Sequence, residues 1–277
     1  MKFILIPLFA AFTQCSAAVE RTEMNASEVI TLIKSGKHVD LSDKIIFDDL
    51  DFTLAAEPFT ITGSALQSEI LVNIHFHNCI FLGKVTSNNA AVQTSFKNNL
   101  TFSGCDFRGE VNFDNAVVFG MVNFSGSIFR ENASFNNLAA WSKDSRFNEM
   151  KAEKRFTMIY STFLGNLNFF GTEFSSVTSF QETTVMGNLT FNNARFSQRA
   201  GFDLMAVYSS AFFNYAEFAA AANFSRARFL HTVEFANATF AVPANFEKTS
   251  FGNDVVFDGI DTERMNFKDA YFAIPKR

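Results

Sequence analysis

Phenylalanine recurs along residues 222–257 at steps that alternate between five and six residues. The residue two positions before each phenylalanine is small, and the residue between the two is nearly always polar. Residues two apart in an extended chain point to the same side, so each triplet predicts a short β-segment with one apolar face. Links of two or three residues between triplets leave room only for corners. The phenylalanines of this stretch are Phe224, Phe229, Phe235, Phe240, Phe246, Phe251 and Phe257.

A chain that alternates short sides with corners coils on itself, and each coil buries its apolar face against the next one. The pattern therefore predicts a repeat solenoid rather than a globular core. Composition agrees, because the chain has 38 Phe in 277 residues but only 4 Tyr and 1 Trp. That excess fits a core of apolar rings that carry no polar group.

The small–polar–Phe triplet followed by two variable residues resembles the pentapeptide-repeat proteins, and the alternating spacing resembles their Phe-rich subgroup. The resemblance implies an all-β fold, a right-handed quadrilateral β-helix with four sides and a 22-residue coil. Residues 22 apart should then stack along the axis. The expected ladder joins Phe202 with Phe224 and Phe246, Phe213 with Phe235 and Phe257, Phe196 with Phe218 and Phe240, and Phe229 with Phe251.

Residues 1–18 have the form of an export signal. Lys2 precedes an apolar run over residues 3–12, and small residues at 16–18 form a cleavage site. Cys15 leaves a second interpretation open, the lipid-attached cysteine of a bacterial lipoprotein, although the residues before it match that pattern poorly. We expect export to the periplasm, the cell envelope or the medium, with membrane anchoring only if Cys15 carries lipid.

Residues 19–38 are predicted to form an N-terminal capping helix region. Asn25 can cap a helix, and Glu28 follows at the spacing of a capping box. A helix placed here would cover the open end of the first coil. The β-helix is predicted over residues 39–272, and residues 273–277 are left as a C-terminal tail.

Two interruptions are predicted in the β-helix. Residues 83–95 lack a repeat phenylalanine and are interpreted as a loop. Residues 138–156 contain the single tryptophan and a mixed-charge run, and we interpret them either as a protruding loop or short helix, or as coils with a one-residue bulge. Interruptions of solenoids often carry partner contacts, although an insertion without a role is the alternative. The candidate interaction surface is Trp141, Lys143, Asp144, Arg146, Lys151, Glu153 and Lys154.

Cys79 and Cys105 each occupy the inward small position of a repeat. The simplest interpretation is two buried small residues. If residues 83–95 bulge out, the two cysteines would stack in adjacent coils, and export would then permit a disulfide.

No glycine-rich phosphate loop, HExxH, CxxC or local serine-triad motif occurs, so the sequence predicts no catalytic, cofactor-binding or metal site. A net charge of −5 argues against nucleic-acid binding. The predicted function is an exported, non-enzymatic rod at the bacterial cell envelope, with a structural role or an unidentified protein partner. The family resemblance adds a nucleic-acid mimic that inhibits a DNA enzyme such as gyrase as the alternative function. It also adds a possible homodimer through the C-terminal end.

Overall fold

The computed structural model describes residues 20–62, 65–89 and 91–273. The export signal predicted over residues 1–18, with Cys15, lies outside these ranges, as do the last four residues of the tail. Within them the strands form four sheets, which the chain visits in a fixed order and which we call sides 1 to 4. Strands on each side pair in parallel, apart from one antiparallel hairpin on side 4. The four-sided β-helix is confirmed.

Strands of two to six residues make up every side. Side 1 has Val39–Ser42, Ile74–His77, Leu100–Ser103, Val122–Asn123, Asp144–Arg146, Asn166–Asn168, Leu189–Thr190, Ala211–Phe212, Val233–Glu234 and Val255–Val256. Side 2 has Thr22–Met24, Lys44–Ile46, Ile80–Phe81, Asp106–Phe107, Ile128–Phe129, Lys151–Ala152, Glu173–Phe174, Arg195–Phe196, Glu217–Phe218 and Thr239–Phe240. Side 3 has Leu50–Asp51, Val85–Thr86, Val111–Asn112, Ala133–Ser134, Phe156–Thr157, Thr178–Ser179, Ala200–Gly201 and Ala222–Asn223. Side 4 has Phe59–Thr62, Ala65–Ile70, Val92–Phe96, Val117–Val118, Ala139–Ala140, Thr162–Phe163, Thr184–Val185, Ala206–Val207, Arg228–Phe229, Ser250–Phe251 and Tyr271–Phe272.

A helix, α1 (Ala26–Lys34), covers the first coil as predicted. The backbone N–H of Asn25 donates to Glu28 Oε1 at 3.0 Å, which supplies one half of the capping box. The Ala26 N–H donates to Asp48 Oδ1 at 2.6 Å and fastens the start of the helix to the coil below. Its buried face joins the main core through Ala26, Val29, Ile30 and Ile33. No helix in the described ranges is long and apolar enough to cross a membrane.

Coils of the regular part have the predicted length, since Thr178 pairs with Ala200 and Ala200 with Ala222. The first two coils are longer. Val39 pairs with Ile74 and Ile74 pairs with Leu100, and both steps exceed the regular one. The first excess contains a 3-10 helix, Phe52–Leu54, and the antiparallel hairpin of side 4.

The loop predicted over residues 83–95 is largely not a loop. It contains strand Val85–Thr86 of side 3 and most of strand Val92–Phe96 of side 4. Val85 takes the usual small inward position there, and the buried Ser87, in register with Phe113, takes the inward position that phenylalanine normally holds, so the missing phenylalanine misled the prediction. The excess over a regular coil is four residues between the two strands.

Phenylalanine rings fill the core along the axis. On side 1 of the described chain, nine consecutive inward residues are phenylalanine, with neighbouring ring centroids 4.7–5.4 Å apart and planes within 23°. They are Phe76, Phe102, Phe124, Phe147, Phe169, Phe191, Phe213, Phe235 and Phe257. The other stacks predicted from the repeat period are confirmed too, at 4.6–4.9 Å for the Phe202 and Phe196 series and 6.0 Å for Phe229 on Phe251.

Side 2 has one gap in its rings, and a neighbouring side fills it. Ala152 occupies the inward position that phenylalanine takes in the coils before and after it. Phe156 occupies the usually small position of side 3, in register with Ala133. The Phe156 ring lies 5.4 Å from Phe174 and 6.2 Å from Phe129, the two side-2 rings that flank Ala152. Large and small residues have therefore exchanged places, which keeps the core filled.

The interruption predicted over residues 138–156 is a single extra residue. Val117 pairs with Ala139 at the regular period, whereas Val122 pairs with Ser145, one position beyond it. The extra residue lies in the corner between side 4 and side 1, and the segment otherwise continues the coil through all four sides. Of the two interpretations, the one-residue bulge is therefore the observed one.

The last described coil is one residue short and is less covered. Ser250 pairs with Tyr271, one position before the regular period, and a 3-10 helix, Thr262–Arg264, stands where side 2 would continue. Phe272 stacks on Phe251 at 4.8 Å yet stays partly exposed. The two ends of the described solenoid therefore differ, because α1 covers the first coil and no helix of this kind covers the last.

Candidate functional site

The sides differ in the residue that faces outward at the middle of each triplet. Side 3 carries Asp51 in its first strand and small neutral residues in the later ones: Thr86, Asn112, Ser134, Thr157, Ser179, Gly201, Asn223 and Asn245. Side 4 has Glu69 near one end and Arg228 near the other, with uncharged residues between them. These are Ser95, Val117, Ala139, Thr162, Thr184 and Ala206.

Side 2 carries charges of alternating sign. Arg130 bridges Asp106 at 2.6 Å and Glu153 at 3.6 Å, and Arg195 bridges Glu173 at 3.6 Å and Glu217 at 3.3 Å. The hydrogen bond to Asp106 and its negative charge raise the pKa of Arg130. Side 2 is therefore charge-balanced along its length rather than an acidic face.

An exposed apolar ridge runs along the corner between side 4 and side 1. Seven of its side chains in the described chain are 41–67% exposed. We call this set the corner stripe: Leu71, Phe119, Trp141, Leu164, Met186, Tyr208 and Leu230. Each follows directly after the inward residue of a side-4 strand. Single exposed apolar residues are ordinary on protein surfaces, whereas rows of this length are typical of interaction surfaces.

Backbone hydrogen bonds hold the corner stripe in register. The N–H of each stripe residue from Phe119 to Leu230 donates to the inward side-4 residue of the preceding coil at 2.9 Å. Successive stripe side chains are therefore spaced by the strand separation, about 4.8 Å. The sheet ladder that builds side 4 thus extends one residue into the corner and fixes the position of each exposed side chain.

Lys97 occupies the corresponding corner position between Leu71 and Phe119, outside this apolar set, and its charge is shielded. Lys97 Nζ lies 2.7 Å from Glu69 and 4.5 Å above the Phe119 ring. Phe119 in turn stacks on Trp141 at 6.4 Å with the planes 16° apart. These contacts join Glu69, Lys97, Phe119 and Trp141 into one ordered surface cluster.

The corner under the stripe is tightly wound. A Cβ built on Gly165 would lie 2.0 Å from the carbonyl oxygen of Lys143, in the coil that carries the extra residue. Only glycine permits that approach of two backbones. The Asn166 N–H donates to the same carbonyl at 2.7 Å, and Asn166 Nδ2 donates to Asp144 Oδ1 at 2.9 Å. The bulge next to Trp141 is therefore fixed by bonds to the next coil.

The seven residues proposed from the sequence as one interaction surface do not lie together. Trp141 belongs to the corner stripe, and Lys143 and Asp144 follow it on the same corner. Arg146 faces outward on side 1, while Lys151, Glu153 and Lys154 lie on or just after side 2. The coil separates them because the segment wraps around the axis instead of protruding. Aligning successive coils at the predicted period would have revealed the remaining stripe residues.

Cys79 and Cys105 are buried free thiols that lie in register on adjacent coils of side 2. Cys79 Sγ donates to the carbonyl oxygens of Leu41 and His77, both at 3.4 Å. A hydrogen bond from the Cys105 thiol lowers the pKa of Cys79, whereas burial raises the pKa of Cys105. Across the residues that the structure describes, no three His, Cys, Asp or Glu side chains form a group able to hold a metal ion.

Comparison with known proteins agrees with the repeat. A family model described as Pentapeptide repeats (9 copies) matches residues 91–138. No match was found among curated proteins, and none among solved structures. The side-and-corner pattern of the matched residues continues from residue 139 to the last described coil, apart from the one extra residue before Ser145 and the shorter last coil. The resemblance seen in the sequence is thereby confirmed for residues 91–138, and the chain is consistent with a pentapeptide-repeat protein.

Proposed function

We propose that this protein is an exported, non-enzymatic interaction rod of the bacterial cell envelope. The observation that supports an interaction role is the corner stripe, seven exposed apolar side chains over eight coils of side 4, of which those from Phe119 to Leu230 are held in register by backbone hydrogen bonds. Next to it, side 4 is free of charge from Ser95 to Ala206. We call the stripe and these uncharged side-4 residues together the stripe surface.

The stripe surface has the composition of a protein-binding surface. Trp, Tyr, Phe and Met are enriched at the centres of interfaces, where charged residues are depleted. Burying such residues contributes about 25 cal/mol of binding free energy for each Å² of apolar area. The stripe surface has no unpaired charge that would have to be desolvated. The backbone ladder already orders the corner, so little conformational entropy is lost on binding.

Export is supported by the sequence of residues 1–18 and a rod role by the solenoid itself. The alternating charges of side 2, from Asp106 to Glu217, favour this function over a nucleic-acid mimic, which needs a continuous acidic face. The proposal includes no cofactor and no catalytic residue. A disulfide between Cys79 and Cys105 is part of it, because an oxidising compartment would permit one.

Fractionation and mass analysis of the mature N-terminus test the location. We expect the protein in the periplasm, envelope or medium, with cleavage after Ala18. A lipid-modified N-terminus at Cys15, lost in a Cys15→Ser variant, would show the anchored form. Cytoplasmic protein that keeps residues 1–18 would contradict the export proposal and favour the mimic.

A pull-down from the envelope fraction tests the interaction role. Trp141→Glu places a charge at the centre of the stripe and should remove the captured partner. Tyr215→Glu is the matched control, because Tyr215 is at least as exposed as Trp141 but lies on the corner between sides 1 and 2, where Glu149 already occupies the equivalent backbone conformation. Equal capture by the wild type and both variants would remove the stripe from the proposed function.

A further inference from the structure

The stripe surface matches a second copy of this chain, and we propose that two copies pack side 4 against side 4 with their axes antiparallel. The inference rests on the proposed function, since it names the partner of the same surface. It is separate from the end-to-end dimer that the family resemblance suggested, because it uses the flank of the solenoid and not its C-terminal coil.

The spacing of the stripe residues favours a second copy over a helical partner. Stripe residues repeat at the strand separation, about 4.8 Å. An α-helix laid along the stripe presents one apolar residue per turn at a pitch of about 5.4 Å and so falls out of step by about 3 Å over five turns. A second copy has the same repeat by construction, so every coil of one copy meets a coil of the other.

The charged residues at the two ends of side 4 favour the antiparallel arrangement. Side 4 places Glu69 and Arg228 symmetrically about the midpoint between the strands Ala139–Ala140 and Thr162–Phe163. A two-fold axis through that midpoint, parallel to the strands, brings Glu69 of each copy opposite Arg228 of the other. A parallel arrangement would instead bring Glu69 against Glu69 and Arg228 against Arg228, which is repulsive.

The remaining contacts of the antiparallel arrangement are also compatible. The half-buried and exposed outward residues of side 4 that meet are small and uncharged, Val117 with Thr184 and Ala139 with Thr162, whereas Ser95 and Ala206 lie opposite each other but are buried within each copy. The corner stripes meet in apolar pairs with one cation beside an aromatic ring: Leu71 with Leu230, Phe119 with Met186, Trp141 with Leu164, and Lys97 with Tyr208. No contact in the set leaves a buried charge without a partner.

The size of the surface suits a reversible dimer. Eight strands of side 4 span about 34 Å, and side 4 with its corner is about 16 Å wide. Two copies would bury on the order of 1,000 Å², at the lower bound for a specific interface. We therefore expect association that depends on concentration rather than a permanent dimer.

Sedimentation velocity of the full chain over a concentration series tests the inference. The wild type should dimerise, and Trp141→Glu should weaken association at least tenfold, because an anchor at the interface centre carries much of the binding energy. Tyr215→Glu should leave the association unchanged. Circular dichroism of each variant confirms that the solenoid is intact.

A charge exchange tests the orientation. Arg228→Glu and Glu69→Arg should each weaken the dimer several-fold, and the double variant should restore it, because antiparallel packing pairs the two positions across the interface. A parallel dimer would not respond in this way. Double-variant association no stronger than that of the singles would overturn the antiparallel arrangement.

The remaining outcomes separate the inference from the proposed function. A wild type that stays monomeric at every concentration overturns the dimer, and stripe-dependent capture of an envelope protein would then leave the proposed function standing. A dimer that no side-4 substitution weakens also overturns the inference, because an end-to-end dimer would behave in this way. A stripe-dependent dimer that captures nothing else supports the inference and removes only the separate envelope partner.

Discussion

The exchange of large and small residues at Ala152 and Phe156 makes a quantitative prediction about the core. The Phe156 ring fills from side 3 the space that Ala152 leaves on side 2, between Phe129 and Phe174. Ala152→Phe together with Phe156→Ala would return this coil to the regular pattern. We expect each single change to destabilise the protein strongly and the double change to recover most of the loss.

The magnitudes follow from burial and packing. Both side chains are at most 1% exposed. Phe156→Ala removes a ring with six ring neighbours and should cost about 3–5 kcal/mol. Ala152→Phe forces a ring into filled space and should cost about 1–3 kcal/mol. The double variant conserves volume and should lose less than about 1.5 kcal/mol, so the coupling should be about 3 kcal/mol or more.

Guanidinium unfolding measures this cycle, with far-UV circular dichroism reporting the whole solenoid and Trp141 fluorescence reporting a corner half a coil away. The free energies are comparable only if the two probes give coincident transitions, since repeat arrays can unfold in parts. A double variant as unstable as the sum of the singles would refute the compensation.

The same exchange can be transplanted to a regular coil as a control. Phe196 and Ala200 occupy there the positions that Ala152 and Phe156 occupy in the irregular coil. Ala200→Phe should therefore recover part of the stability lost in Phe196→Ala. If Ala200→Phe lowers the free energy of unfolding further, a ring on side 3 does not fill the space left on side 2.

Three further predictions concern the corner, the cysteines and the charge ladder. Gly165→Ala should cost about 2 kcal/mol in guanidinium unfolding because its Cβ meets backbone, whereas Gly201→Ala, whose nearest neighbour is a side-chain atom at 3.4 Å, should be near neutral; equal effects would contradict the close approach. Protein recovered from an oxidising compartment should have Cys79 bonded to Cys105, which closes a loop of one coil worth about 3–4 kcal/mol, and two alkylated thiols in the unfolded, unreduced chain would contradict this. Arg195→Ala should cost less than about 1 kcal/mol, and the loss should vanish in high salt; a salt-independent loss would point to packing rather than ion pairs.

Much of the fold follows from the sequence because one local rule, applied in each coil, builds all of it. The stack of Phe202, Phe224 and Phe246 could be numbered in advance for that reason. The rule weakens where another residue takes the phenylalanine position, as Ser87 does, and a strand was then mistaken for a loop. The rule does not predict compensation between sides, because no pattern within one repeat relates Ala152 to the ring of Phe156 on the next side.

The corner stripe was less predictable for a related reason. Corner positions obey no inward rule, so each residue of the corner stripe looks ordinary in its own repeat. The stripe forms because successive coils stack in register. This register places Phe119 beside Trp141 although a whole coil of chain separates them. An irregular segment attracted the prediction to Trp141 and to charged neighbours such as Lys151, which the coil carries to another side.

The unequal ends of the solenoid give the molecule a direction of assembly. α1 and the coil beneath it are complete before later coils are needed, and each new coil finds a finished template of backbone donors, acceptors and rings in the coil before it. Growth by addition then proceeds only toward the C-terminus, in the order in which a ribosome releases the chain. Loss of structure should run the opposite way, so limited proteolysis would shorten the rod from its less covered end, one coil at a time.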